Sequence, residues 1–259
     1  MNKPWLGHYP DGVPSDLGEV GYRSLAELLE NAFQTHAERD ALHFMGASFT
    51  YRRFGALARD FGAYLQGLGL QKGDRIALMM PNVPQYPVAI AGAAMAGLTI
   101  VNVNPLYTPG ELAHQLKDSG AKAIVVLENM AATLEKCRAK TEVEHVVVTG
   151  LGDLLPRVKG AIVNFVLRRV KKMVPAYDLP GAVRFKRALS IGRKGMVRTP
   201  AIAPDDIAVL QYTGGTTGVA KGAMLTHANI VANVLQSQMW NAPALKQLAP
   251  GEQSIVVCA

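Results

Sequence analysis

Residues 207–222 read Ile207-Ala208-Val209-Leu210-Gln211-Tyr212-Thr213-Gly214-Gly215-Thr216-Thr217-Gly218-Val219-Ala220-Lys221-Gly222. The first six have the continuous apolar character of a buried strand, and a helical pattern runs from about His227 to Trp240. Between them, Gly214, Gly215 and Gly218 let the backbone approach a bulky ligand in conformations closed to residues with a Cβ. Thr213, Thr216 and Thr217 add hydroxyls, and Lys221 adds a mobile point charge before Gly222. Clustered amides, hydroxyls and an ammonium suit a polyphosphate. A strand, a glycine-rich loop and a helix in that order also place the loop where nucleotide loops usually sit. The run is not a Walker A motif, because Lys221 is preceded by Ala220 and followed by Gly222 rather than forming Gly-Lys-Ser/Thr.

Working outward, the N-terminal half alternates helical and strand patterns. Ser24-Leu25-Ala26-Glu27 reads as a capping box opening a helix to about His36. Thr50 opens another to about Leu68, with Phe54, Leu57, Ala58, Phe61 and Leu65 on its apolar face. Strands are expected at Arg75–Met80, near Ile100, at Ala123–Leu127 and at His145–Val148, with helices at Gln85–Ala96, Pro109–Ser119 and Met130–Lys140. Repeated β–α alternation with continuous apolar strands predicts an α/β fold, its mostly parallel sheet flanked by helices on both faces. Residues 76–110 carry no charge, but five prolines interrupt them, and the apolar core Val88–Val103 is only sixteen residues. That is short of the ~20 needed to span a bilayer, so a buried helix followed by a buried strand is expected.

Composition sets outer limits. The 259 residues are 49% hydrophobic and 18% charged, a globular balance with room for a large core. Cys137 and Cys258 lie far apart and away from metal-ligand spacings, which fits a reducing compartment and excludes a disulfide framework. The first thirty residues hold prolines and charges and no apolar signal core. Together these predict a cytoplasmic protein. The net charge of +7 is concentrated: residues 157–198 hold twelve Lys/Arg and one acid, Asp178, a net +11, while the remainder carries fifteen basic and nineteen acidic residues, a net −4. With no nucleic-acid motif beside it, a basic cluster confined to one segment argues against a nucleic-acid partner.

Within that segment, Ala161–Val174 has helical periodicity. Ile162, Val163, Val166, Leu167, Val170, Met173 and Val174 fall within an arc of ~140°, and Asn164, Arg168, Arg169, Lys171 and Lys172 lie opposite, with Phe165 among them. Two outcomes are open. The apolar arc packs on the core and the cations are merely solvated, or the helix lies peripherally on an anionic membrane, held by Arg168, Arg169, Lys171 and Lys172.

Tyr-Thr-Gly-Gly-Thr-Thr-Gly-x-x-Lys-Gly resembles the phosphate loop of the acyl-adenylate-forming superfamily. Leu68–Asp74, Val101–Leu112, the segment from Lys159-Gly160 to Leu179-Pro180 and the extension Lys221–His227 are similar to bacterial long-chain fatty acid–CoA ligases. The resemblance implies that ATP and a fatty acid give acyl-adenylate, from which CoA takes the acyl group, with Mg²⁺ assisting. It assigns Tyr212, Thr213, Gly214, Gly215, Thr216, Thr217, Gly218, Lys221 and Gly222 to the ATP phosphates. No residue is assigned a catalytic or metal-binding role, and His227 at a helix start reads as structural rather than reactive.

The same resemblance implies that residues 1–259 are an incomplete large N-terminal AMP-binding domain with 157–198 a basic amphipathic insertion. The chain stops at Ala259 inside an apolar run. The rest of that domain and a small C-terminal domain are expected beyond it, and the isolated chain is expected to be inactive. A medium-chain or aryl acid–CoA ligase, and a non-enzymatic fragment binding a membrane or a partner, stay open as alternatives. So do chain-length preference and oligomeric state, a homodimer included.

Overall fold

The computed structural model describes residues 3–213 and 220–245. Helix α1 (Leu25–Thr35) is capped by Ser24, whose hydroxyl accepts from the Glu27 N–H. The Glu27 carboxylate accepts from the Arg23 N–H at 2.8 Å, so the expected box closes one residue before the cap. A hairpin that the periodicity did not reveal follows, β1 (Asp40–Phe44) and β2 (Ala47–Thr50), turning through Met45 and Gly46 at φ 48° and 70°. Its strands are short and β1 is half-exposed. Thr50 then caps α2 (Tyr51–Gly67), its hydroxyl accepting from the Arg53 N–H.

From there the chain winds as β3 (Arg75–Met79), α3 (Gln85–Met95), β4 (Thr99–Asn102), α4 (Pro109–Ser119), β5 (Ala121–Leu127), α5 (Ala131–Arg138), β6 (His145–Thr149) and α6 (Arg157–Phe165). It continues through β7 (Val183–Arg184), α7 (Phe185–Gly192), β8 (Ile207–Thr213), β9 (Lys221–Thr226) and α8 (His227–Leu245). The seven-stranded sheet runs β7-β6-β5-β3-β4-β8-β9 and is parallel except for β9. Thr108 caps α4 in a complete capping box with Glu111, and Pro109 occupies the first turn, where its missing N–H is harmless.

Strand alternation divides the core into two layers. Ile76, Leu78, Ile100, Val125, Val147 and Val209 face α1, α2, α3 and α7, where Phe61 and Phe185 meet with ring centroids 5.0 Å apart. Ala77, Met79, Val101, Ile124, Val126 and Val148 face α4 and α5, with Leu112, Leu116 and Leu134. Each such aliphatic or aromatic side chain contributes roughly 1.5–3 kcal/mol on burial. The uncharged stretch 76–110 is therefore β3, α3 and β4, with α3 buried on almost all sides. No helix among the described residues is long and apolar enough to cross a membrane. From β3 the chain departs toward β4, and from β5 toward β6, so the order reverses between β3 and β5. Open α/β sheets bind ligands at the carboxyl ends of strands beside such a reversal.

Candidate functional site

The site is built on the β8–β9 hairpin. An antiparallel register pairs Tyr212 with Gly222 and Thr213 with Lys221, so the two ends of the phosphate-loop motif face each other across its neck. Gly214, Gly215, Thr216, Thr217 and Gly218 lie outside the described residues. The helix expected after the loop starts at His227, as read, but strand β9 intervenes. Residues 221–226 find an open edge on β8 and pair with it, so the loop joins two strands and does not open onto a helix N-terminus.

Tyr212 and Gln211 point to opposite faces because successive strand residues do. The Tyr212 ring is buried in the α4 layer and its hydroxyl donates to the Asp118 carboxylate at the end of α4, at 2.5 Å. Burial and then the neighbouring Asp118 carboxylate push the phenol well above its ordinary range, so it stays a donor throughout the physiological range. A Cβ at Gly222 would sit 3.0 Å from two ring carbons of Tyr212, so glycine is what lets the ring lie across the opposing strand. On the other face, Gln211 accepts from the Asn102 amide at 2.8 Å, and Asn102 accepts from the Tyr86 hydroxyl at 2.8 Å. Thr213 and Lys221 remain exposed at the loop end of the hairpin.

At the far end of β9, Thr226 and Asn229 exchange hydrogen bonds and start α8. His227 is buried there, and its Nδ1 accepts from the Leu25 N–H at 3.2 Å, which leaves the proton on Nε2. Burial holds the imidazole below its ordinary value of 6.5, reinforced by Lys72 and opposed by Asp206. It ties the hairpin to α1 rather than lining the neck.

The basic segment departs from the expected continuous amphipathic helix. Helix α6 ends at Phe165 and a single π-helical turn, Val166–Val170, follows, so the regular helix does not continue to Val174. The polar edge docks. Asn164 is buried, accepting from the Gly152 N–H at 2.8 Å and donating to Asp153 at 3.0 Å. Gly160 packs so closely on Gly152 that an added Cβ would meet its carbonyl oxygen at 2.2 Å. Arg168 is tied down while staying partly exposed: its guanidinium chelates the Glu128 carboxylate, which is only 1% exposed, at 2.5 Å. Arg184 reaches the same carboxylate at 3.3 Å. Arg169, Lys171 and Lys172 are exposed. Of the apolar arc, Val163 packs on the core, whereas Ile162 and Met173 are 57% and 55% exposed. Val158, Ile162 and Phe165, spaced i, i+4, i+7, form an outward ridge in which Val158 is 75% and Phe165 60% exposed.

Sequence reading missed Asp118, Asn102 and Tyr86 as partners of this site, and Glu128 as the partner of Arg168. The Asp118–Tyr212 contact spans 94 residues and the Asn102–Gln211 contact 109, so no local pattern signals either. Among the described residues no three His, Cys, Asp or Glu come together as a metal site.

A family model described as "AMP-binding enzyme" matches residues 29–259. A long-chain-fatty-acid–CoA ligase of Salmonella typhimurium is 51% identical over 99% of this chain, and one of Bacillus subtilis 35% identical over 92%. The chain spans 45% and 42% of those proteins, under half of their length. The crystal structure of a long-chain-fatty-acid–CoA ligase from Archaeoglobus fulgidus superposes with TM-score 0.68 at 25% identity, over 89% of this chain and 42% of that one. An anthranilate CoA ligase bound to anthranoyl-AMP shares the fold, with TM-score 0.67 at 22% identity, over 86% of this chain and 38% of that one.

Proposed function

The chain belongs to the AMP-binding enzyme family, and on that premise we propose that it is part of an ATP-dependent long-chain fatty acid–CoA ligase. The observation that carries this is 51% identity along 99% of the chain with a long-chain-fatty-acid–CoA ligase, whereas the likeness to the anthranilate and benzoate CoA ligases, at 22% and 23% identity, is one of fold alone. Residues 1–259 would then form part of the large N-terminal domain, with 157–198 a basic insertion in it.

A carboxylate is a poor acyl donor, because its leaving group would be oxide. Its oxygen attacks the α-phosphorus of ATP, the bond to the bridging oxygen breaks, and pyrophosphate leaves. The acyl-adenylate then carries AMP as a good leaving group, which the CoA thiol displaces to give the thioester. Charge gathers on the departing pyrophosphate, so fixed donors there lower the barrier. Thr213, Lys221 and the backbone of Tyr212 and Gly222, with Gly214, Gly215, Thr216, Thr217 and Gly218, are the groups we assign to the β- and γ-phosphates. Lys221, exposed opposite Thr213, is free to follow that charge as it moves. Mg²⁺, when bound to the nucleotide, would neutralise phosphate charge.

The reading extends to the membrane. The ridge Val158, Ile162 and Phe165, flanked by Arg169, Lys171 and Lys172, suits a peripheral contact with an anionic bilayer, from which a fatty acid is drawn.

The test is an assay of the protein expressed from its complete gene with ATP, Mg²⁺, CoA and palmitate, octanoate or benzoate in turn. Palmitoyl-CoA, AMP and pyrophosphate in equal amounts, with kcat/KM highest for palmitate, is the expected outcome. Preference for benzoate would sink the fatty-acid reading, and ATP hydrolysis indifferent to any acid would sink the ligase.

A further inference from the structure

The end of β8 is held from both sides. Tyr212 is pinned to α4 through Asp118, Gln211 to β4 and α3 through Asn102 and Tyr86, and the two contacts lie on opposite faces of the sheet. Neither is needed to bury apolar area: a phenylalanine at 212 and a methionine at 211 would fill the same space. Both are costly to leave half-made, because a partly buried polar group that loses its partner is not fully rehydrated. Polar contacts of this kind fix direction, where apolar packing alone tolerates small rotations. What they direct is the pair one residue on, Thr213 and Lys221, which are opposite each other at the neck of the loop. The Tyr212 ring adds a second constraint by lying against Gly222, the residue after Lys221, so its tilt sets how closely the two strands approach.

We propose that Asp118 and Asn102 are positioning residues for the nucleotide, acting through Tyr212 and Gln211 to hold Thr213 and Lys221 at the spacing that the ATP phosphates require. The inference rests on the reading of the hairpin as the ATP-phosphate site. It also says why the motif starts with a tyrosine rather than any large apolar residue: the hydroxyl carries the alignment.

The experiment measures ATP affinity by calorimetry and the thermal midpoint in the protein from its complete gene. The variants are Tyr212→Phe, Asp118→Ala, Asp118→Asn, Gln211→Met and the double variant Tyr212→Phe/Asp118→Ala. Tyr212→Phe and Asp118→Ala are each expected to weaken ATP binding about tenfold, and the double variant no further, because both remove one contact. Asp118→Asn keeps an acceptor oxygen and is expected to retain affinity within about twofold. Gln211→Met is expected to weaken ATP independently. A purely structural role would lower the thermal midpoint while leaving ATP affinity at the wild-type value, and that result overturns the proposal. Should the wild-type bind ATP yet form no acyl-CoA from any fatty acid, the ligase reading fails while the alignment stands or falls on the affinities alone. A wild-type protein that binds no ATP overturns both.

Discussion

Tyr212 lies within the β8–β9 hairpin and His227 just after it, and each is a polar ring placed in the core for one directed contact. His227 makes a pH prediction possible. Its folded value lies below 6.5 because burial disfavours the imidazolium, so the unfolded chain takes up the proton first as pH falls. Stability from the neutral ring is complete above about 6.5 and declines as pH drops from there to the folded value. His227→Asn keeps an acceptor for the Leu25 N–H and has no proton to take up. Thermal midpoints measured between pH 7.5 and 5.5 are therefore expected to fall more steeply for the wild type than for His227→Asn. Parallel profiles would show that the Asp206 carboxylate, although paired with Lys72, cancels the effect of burial. At this scale the sequence was legible wherever chemistry is local: Ser24, Thr50 and Thr108 cap the helices they precede. It was not legible where a residue's partner lies on another element, as with Asp118.

Helix α6 shows the same limit one level up. Its periodicity is helical, and a helix forms, but periodicity alone says nothing of what lies beneath it. It leaves open whether the apolar arc meets the core or a membrane. In the folded chain the neighbouring surface is acidic, with Glu128 following β5 and Asp153 following β6, so the polar edge turns inward instead. The π-turn at Val166–Val170 assists by changing the phase after Phe165. Glu128 is what makes this orientation stable, since it is buried and answers both Arg168 and Arg184. Breaking a fully buried pair costs about 3–5 kcal/mol. Both guanidinium groups retain roughly 40% exposure, so screening reduces this, and about 2 kcal/mol is expected for Glu128→Gln. Over a domain of this size that lowers the thermal midpoint by about 4–8 °C. A shift under a degree in calorimetry would mean that the arginines find other acceptors and that Gly160 and Asn164 alone hold the helix.

For the molecule as a whole, β–α alternation was enough to give a mostly parallel sheet between two helical layers, because buried parallel strands are apolar throughout and leave that signature. The antiparallel strand β9 of that sheet escaped it: Lys221–Thr226 is largely exposed, with only Ala223-Met224-Leu225 apolar. Whole-chain charge is the other global feature, and here magnitudes decide which part of the basic segment would carry the proposed membrane contact. A cation at an anionic surface contributes about 1 kcal/mol and is screened within ~8–10 Å at moderate salt. A buried isoleucine or phenylalanine contributes about 1.5–3 kcal/mol and is not screened. The ridge therefore outweighs the cations at physiological salt, and the cations matter most when salt is low. Sedimentation with phosphatidylglycerol-rich vesicles is expected to pull down the wild-type protein, less so as salt rises. Ile162→Ser/Phe165→Ser should lose that binding even at low salt with an unchanged thermal midpoint, because both side chains face solvent in the free protein. Arg169→Gln/Lys171→Gln/Lys172→Gln should mainly remove the salt dependence. If instead the serine variant sediments like the wild type and the glutamine variant does not, the contact is electrostatic alone and the outward ridge has no part in it.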